Sequence, residues 1–221
     1  MTDVPPPPPP PSVPPSGAGS PDAGAALSYG WKKFQAYAGP VLAIILIPLA
    51  AQLILNFLGY VVIGGTFGYV VFGILGLVVS LVGALGIFNA GLMVTAGEIP
   101  DIGKAFSTDR WGEWFLFAIV FGLFVGVGAI FCGIGALVVL AFFGLAPYYF
   151  LDQRMSLGDA FSASLNTTRS RSGLPLSIAL TALVGFLGII ACYVGVFVTM
   201  PIAYIGVAFL YRHATNQPVA P

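Results

Sequence analysis

The sequence predicts an all-α integral membrane protein with six transmembrane helices arranged as three hairpins, each preceded by a short cytoplasmic amphipathic helix. Three observations carry this prediction. The chain is 58% hydrophobic and only 7% charged, where soluble domains carry about 25% charged residues. Its charged residues, eight basic and eight acidic, fall into short clusters at residues 3–33, 98–113, 152–171 and at 212. The uncharged stretches between them, 34–97, 114–151 and 172–211, are 64, 38 and 40 residues long. One helical crossing takes about 20 residues. As a single straight helix, even the shortest stretch would be about 57 Å long, against a hydrocarbon core of about 30 Å. Each stretch therefore crosses and returns.

Hairpins also account for the charge distribution. With an even number of crossings between clusters, Lys32, Lys33, Lys104, Arg110, Arg154, Arg169, Arg171 and Arg212 all share one face. The bias of Lys and Arg toward cytoplasmic loops makes that face the cytoplasm and puts both termini inside, as in a multi-pass protein of a bacterial plasma membrane. Trp31, Trp111 and Trp114 lie beside these clusters, and Tyr60 and Tyr69 flank the first outer turn, as interfacial rings do. The net charge of zero gives no basis for a nucleic-acid partner.

Taken in order, the first 25 residues hold ten of the eighteen prolines, seven of them consecutive from Pro5 to Pro11. Such a run forms an extended polyproline II rod of about 22 Å, followed by a flexible linker. It has neither the basic start nor the apolar segment of a signal peptide. Residues 1–25 are thus expected to be a disordered cytoplasmic tail, either a ligand for an aromatic-groove domain or a solvated spacer. The membrane domain spans 26–213, with crossings near 39–60, 69–96, 114–131, 135–151, 174–191 and 195–211. Outer turns are marked by Gly64 and Gly65, by Gly133 and Gly135, and by Gly195. In the competing arrangement, one of these turns is a re-entrant kink in a long helix. Residues 214–221 form a short disordered tail.

Internal repetition supports three units. Asp101-Ile102-Gly103-Lys104-Ala105-Phe106-Ser107 matches Ser156-Leu157-Gly158-Asp159-Ala160-Phe161-Ser162. A degenerate third copy runs from Ala26-Leu27-Ser28 to Gly39-Pro40, at the spacing that separates Ala160-Phe161-Ser162 from Gly173-Leu174. Gly128, Cys132 and Gly135 recur as Gly188, Cys192 and Gly195. The stripe Leu157, Phe161 and Leu165 makes the third short helix amphipathic, and Leu27, Trp31 and Phe34 do nearly the same in the first. In the headgroup plane, Lys32, Lys33, Arg169 and Arg171 are candidate contacts for anionic lipid, although pairs of basic residues also serve simply to set topology.

Ala160-Phe161-Ser162-Ala163-Ser164-Leu165 before a hairpin, a Gly-rich outer turn, and the ending Ala208-Phe209-Leu210-Tyr211-Arg212 together resemble a broad group of bacterial polytopic membrane proteins. The group includes the YciC-like proteins and the membrane domain attached to some glycerophosphodiester phosphodiesterases. The resemblance covers about residues 26–213, and the proline-rich start looks like actinobacterial versions. It implies a six-helix membrane protein with no catalytic residues to carry over. No phosphodiesterase domain follows the membrane part, so that activity is not implied.

Little in the chain points to chemistry. No Asp, Glu, Lys, Arg or His falls within a predicted span, whereas ion-coupled pumps and voltage sensors place such groups there. His213 has no second strong ligand near it, and the phosphate-loop, HExxH and GxSxG patterns are missing, so no catalytic, cofactor or metal residue is assigned. Gln52, Asn56 and Asn89 are the candidate intramembrane polar cluster, read either as interhelical hydrogen bonds or as a polar solute site. Gly122 and Gly126, and Gly76 and Ser80, form small-residue surfaces suited to packing within the bundle or between chains. Cys132 and Cys192, in or near outer turns on the oxidising side, are candidates for a disulfide. Pro48, Pro147 and Pro201 are expected to kink their helices. The function expected is a non-enzymatic accessory or scaffold protein of the envelope, partnered by the lipid bilayer and other membrane proteins. The alternative is a facilitator for a small or hydrophobic solute or lipid.

Overall fold

The structure, a computed structural model, describes residues 22–63, 65–131, 133–190 and 195–221. Every regular element among them is helical. Helix α1 (Ala23–Phe57) ends in a π-helical turn, Leu58–Ile63. It is followed by α2 (Gly65–Ala96), the single turn α3 (Ile102–Ala105), α4 (Trp111–Ile130), α5 (Ile134–Phe143), α6 (Ala146–Asp152), α7 (Leu157–Ser170), α8 (Leu174–Ile190) and α9 (Val196–Ala214). Five segments are long and apolar enough to cross a membrane: 23–61, α2, α4, α5 with α6, and α9. A sixth arises only from α7 and α8 together, bent by 111°. Gly173 lies in that break at φ +94°, a conformation that a side chain resists.

Two expected boundaries fall elsewhere. The first short helix does not separate from the first long one; the two are continuous through a kink at Tyr37 (φ −123°, ψ 27°). Pro40 explains it, because proline has no N–H to donate and its ring crowds the carbonyl one turn back. Pro147 does not kink a helix interior either. It stands in the first turn of α6, where a missing N–H costs nothing, and the break from α5 precedes it.

The three short helices share one construction. Asp22 accepts from Ala25 N–H at 2.8 Å, Asp101 from Lys104 N–H at 2.8 Å, and Ser156 from Asp159 N–H at 3.3 Å. Each is an N-cap serving the backbone three residues on. One residue further, Ala26, Ala105 and Ala160 are all fully buried. The degenerate copy therefore begins four residues earlier than its Ala-Leu-Ser core, at Asp22-Ala23-Gly24. Asp22 caps α1 and Ala23 opens it, so part of the expected 1–25 tail belongs to the helix; residues 1–21 lie outside the described residues.

Each short helix rests on a long helix other than the one that follows it directly. α7 lies on α5, with the Ser164 and Thr168 hydroxyls donating to the Phe142 carbonyl at 2.8 and 3.3 Å. α3 lies on α2, where Asn89 Nδ2 donates to the Ala105 carbonyl at 2.9 Å. The start of α1 lies on α9, so close that a Cβ on Gly30 would sit 2.3 Å from the Ile202 carbonyl oxygen. In α7 the deepest row is Ala160, Ser164 and Thr168, not the expected Leu157, Phe161 and Leu165. Small residues let the axes approach, and Phe161 packs at the flank against Phe117, Phe124 and Phe143.

Sequential long helices pack as pairs, α1 on α2, α4 on α5 and α8 on α9, and α9 closes back onto α1 and α2. The core between them is aromatic: Trp114, Phe117, Tyr148 and Tyr211 are fully buried. Phe88 meets Trp114, Tyr148 and Tyr204 edge to face at 6.3, 5.4 and 5.3 Å, the geometry that ring quadrupoles favour.

Candidate functional site

Several groups at the charged end of the bundle pair with one another, while Arg110 Nη1 is buried without a partner. Arg110 pairs with Glu113, donates to the Met155 carbonyl at 3.2 Å, and lies 4.8 Å from the centre of the Phe150 ring. Arg154 pairs with Asp109 and holds that carboxyl below the usual carboxylate range, while the Glu113 contact pushes the Arg110 guanidinium up. Asp152 accepts from Tyr211 Oη and from Gln217 Nε2, both at 2.7 Å. Arg212 Nε donates to Thr95 Oγ1 at 2.9 Å. Among the described residues, no group of three or more His, Cys, Asp or Glu is placed to hold a metal.

The segment expected as a short disordered tail runs back across this end instead. Ala220 N–H donates to the Thr95 carbonyl and Tyr29 Oη to the Ala220 carbonyl, both at 3.0 Å. Arg212 reaches the Pro218 carbonyl at 3.2 Å and Lys33 the Pro221 carbonyl. Backbone groups with this many partners are held by the bundle.

The candidate polar cluster does not assemble. Asn89 is taken up by Ala105. Gln52 lies against Gly76, where a Cβ would stand 2.5 Å from Gln52 Nε2, and Gln52 Oε1 is buried without a partner. Asn56 is exposed on the outer surface. Thirteen residues of α2 separate Gly76 from Asn89, about 20 Å of helix, so sharing a face of α1 does not bring Gln52 and Asn56 to Asn89. Of the candidate lipid contacts, Lys32 and Arg169 are exposed and Lys33 is half-buried beside Tyr29. Arg171, also half-buried, donates to the His213 carbonyl at 3.4 Å. Cys132 and Cys192 lie outside the described residues, as does Gly64. Gly122 and Gly126 face open space, with nothing within 4 Å of an added Cβ, so they do not pack inside the bundle.

Two features escaped the sequence reading. The first is a cavity of about 80 Å³ among α2, α4, α5, α6, α8 and α9, lined by residues that include Phe88, Phe121, Tyr148, Ile178, Phe186 and Tyr204. The second is the reach of the first hairpin. A Cβ on Gly91 would lie 3.3 Å from Ala208 Cβ, which places α2 and α9 side by side there. From that level α9 extends twelve residues back to Val196 and α2 twenty-six to Gly65, so α2 runs about 21 Å further. Small residues against large ones zip this hairpin together: Gly59 against Phe72, Gly76 against Gln52 and Gly83 against Pro48. Its outer surface is apolar and open, with Phe67 at 73% and Tyr60 at 69% exposure, and Tyr60 and Tyr69 pair near its tip.

Comparison with protein-family models, curated proteins and solved structures gives no match. The site is therefore read from its own geometry. At the charged end Arg110 pairs with Glu113 and Arg154 with Asp109, and the cavity is lined by rings and aliphatic groups. What this arrangement leaves available is apolar surface, inside the cavity and along the first hairpin.

Proposed function

We propose that this chain is a multi-pass protein of a bacterial plasma membrane, with six crossings in three hairpins and both termini cytoplasmic, acting as a non-enzymatic accessory or scaffold protein. The observation that carries the proposal is the reach of α1 and α2. At 20 residues, α4 is about 30 Å long, the depth of a hydrocarbon core. A hairpin whose second helix outruns α9 by about 21 Å and stays uncharged presents apolar surface that α9 does not cover. Another membrane protein is the natural cover for such surface.

The basic residues support the orientation, all gathered at one end with the caps of the short helices. Lys32 and Arg169, exposed there, are offered as headgroup contacts. The resemblance to the YciC-like group is part of this proposal, as is the use of the proline-rich residues 1–25 as a cytoplasmic tether. The facilitator reading loses its support because Gln52, Asn56 and Asn89 line no common path.

The test is affinity purification from native membranes in mild detergent, comparing the wild-type chain with Tyr60→Ser/Phe67→Ser and with a form lacking residues 1–21. The proposal expects stoichiometric membrane partners that the double substitution removes. Purification with lipid alone, from every form, would overturn it.

A further inference from the structure

We propose that the cavity among α2, α4, α5, α6, α8 and α9 is a binding site for one acyl chain of a bilayer phospholipid. The inference rests on the membrane reading above but not on the scaffold role.

The cavity, about 80 Å³, has room for several waters, since one needs about 10–15 Å³ measured this way. Its walls give water little to hold. They are Phe88, Phe121, Ile178, Ala182, Phe186 and their apolar neighbours, and the Tyr148 hydroxyl there is already spent on the Tyr204 carbonyl at 2.8 Å. A water would require two to four polar partners. Vacancy is also unfavourable, because each wall atom loses its dispersion partners on the empty side. A hydrocarbon chain meets both conditions, and in a bilayer it is the solvent at hand.

Phe186 joins the cavity to that solvent. It lines the cavity and is also 36% exposed, on a helix whose Leu183 and Leu187 open to the same outer surface. Phe186 therefore borders both the cavity and the surrounding lipid. Tyr204 lines both this cavity and a second one of about 10 Å³ against α1.

The probe is phosphatidylcholine carrying a diazirine on its acyl chain, reconstituted with the full chain into liposomes. On illumination the diazirine loses N₂ and the carbene inserts into a neighbouring C–H or O–H bond, which peptide mass spectrometry locates. The proposal expects adducts on Ala182 and Tyr204 beside those on the outward-facing Leu123 and Leu187. Ala182→Phe, which fills the cavity, should cut the inner adducts at least tenfold and spare the outer ones, and Phe186→Ala should raise the inner ones. Adducts confined to Leu123 and Leu187 in the wild type and in Phe186→Ala would overturn the site. Inner adducts from a diazirine fatty acid but not from the phospholipid would overturn the assigned source. Protein that alkaline carbonate strips from the liposomes would overturn the membrane reading itself, a result separable from the other two.

Discussion

Gly128 and Gly135 meet backbone to backbone across the α4–α5 turn, so closely that a Cβ on Gly135 would lie 2.4 Å from the Gly128 carbonyl oxygen. Sixty residues on, Gly188 and Gly195 repeat the contact, with a Cβ on Gly188 falling 2.6 Å from the Gly195 carbonyl carbon. Small residues that let two backbones touch are how helices associate where water supplies no hydrophobic drive.

Gly135→Ala therefore forces α4 and α5 apart and should destabilise the protein by about 1–3 kcal/mol, the usual cost of overpacking. Gly122→Ala is the control, because nothing lies within 4 Å of its added methyl. Thermal unfolding in detergent checks the pair. Equal melting temperatures for the two variants would contradict the contact.

The repeated caps should be interchangeable in their energetics. Asp101→Ala and Ser156→Ala each remove one acceptor from a helix start and should cost about 1 kcal/mol. Asp101→Asn and Ser156→Thr keep a capping oxygen, and Ser156→Thr also keeps the hydroxyl that donates to Asp159, so both should stay near wild type. Chemical denaturation of all four variants reads the difference.

Two intramembrane amides should respond in opposite directions. Asn89→Leu leaves the Ala105 carbonyl without its donor and should destabilise by about 1 kcal/mol, the scale of membrane interhelical hydrogen bonds. Gln52→Met removes a buried, unpartnered oxygen and should be neutral or stabilising, since that group's desolvation is uncompensated. Parallel unfolding curves would show the contrast; a large loss of stability for Gln52→Met would mean that the amide has a partner after all.

Much of this fold could be read in the sequence because its signals are local. Uncharged stretches between charge clusters mark the long helices, and Gly128, Gly135 and their repeats mark the tight turns. The repeat was visible from Asp101 and from Ser156, and its start at Asp22 was missed because Ala23 and Ala25 make that copy bland. The rest depends on facing. Whether Asn89 meets Gln52 or the Ala105 carbonyl is set by where α3 docks on α2, and no period along one helix encodes that. The reach of the first hairpin was hidden for a similar reason. A 64-residue stretch counts as two crossings whether or not its tip outruns its neighbours.

The Asp109–Arg154 pair predicts a pH response. A carboxyl whose folded pKa lies below its unfolded value, near 3.9, adds stability that is present above that value and lost as pH falls through the folded pKa. Asp109→Asn should therefore match the wild-type pH profile in shape from pH 5 to 7 and differ from it below about pH 4. Unfolding midpoints across that range check the sign.

The most direct test of the account is site-directed thiol labelling in intact cells, on a background carrying Cys132→Ser and Cys192→Ser. Phe67→Cys, near the projecting tip, and Ser107→Cys, at the charged end, are treated with a membrane-impermeant maleimide. The account predicts labelling of Phe67→Cys from outside, with Ser107→Cys labelled only after the membrane is opened. An unreactive Phe67→Cys would sink the tip into hydrocarbon, and a Ser107→Cys labelled in intact cells would reverse the topology; either result would contradict the account.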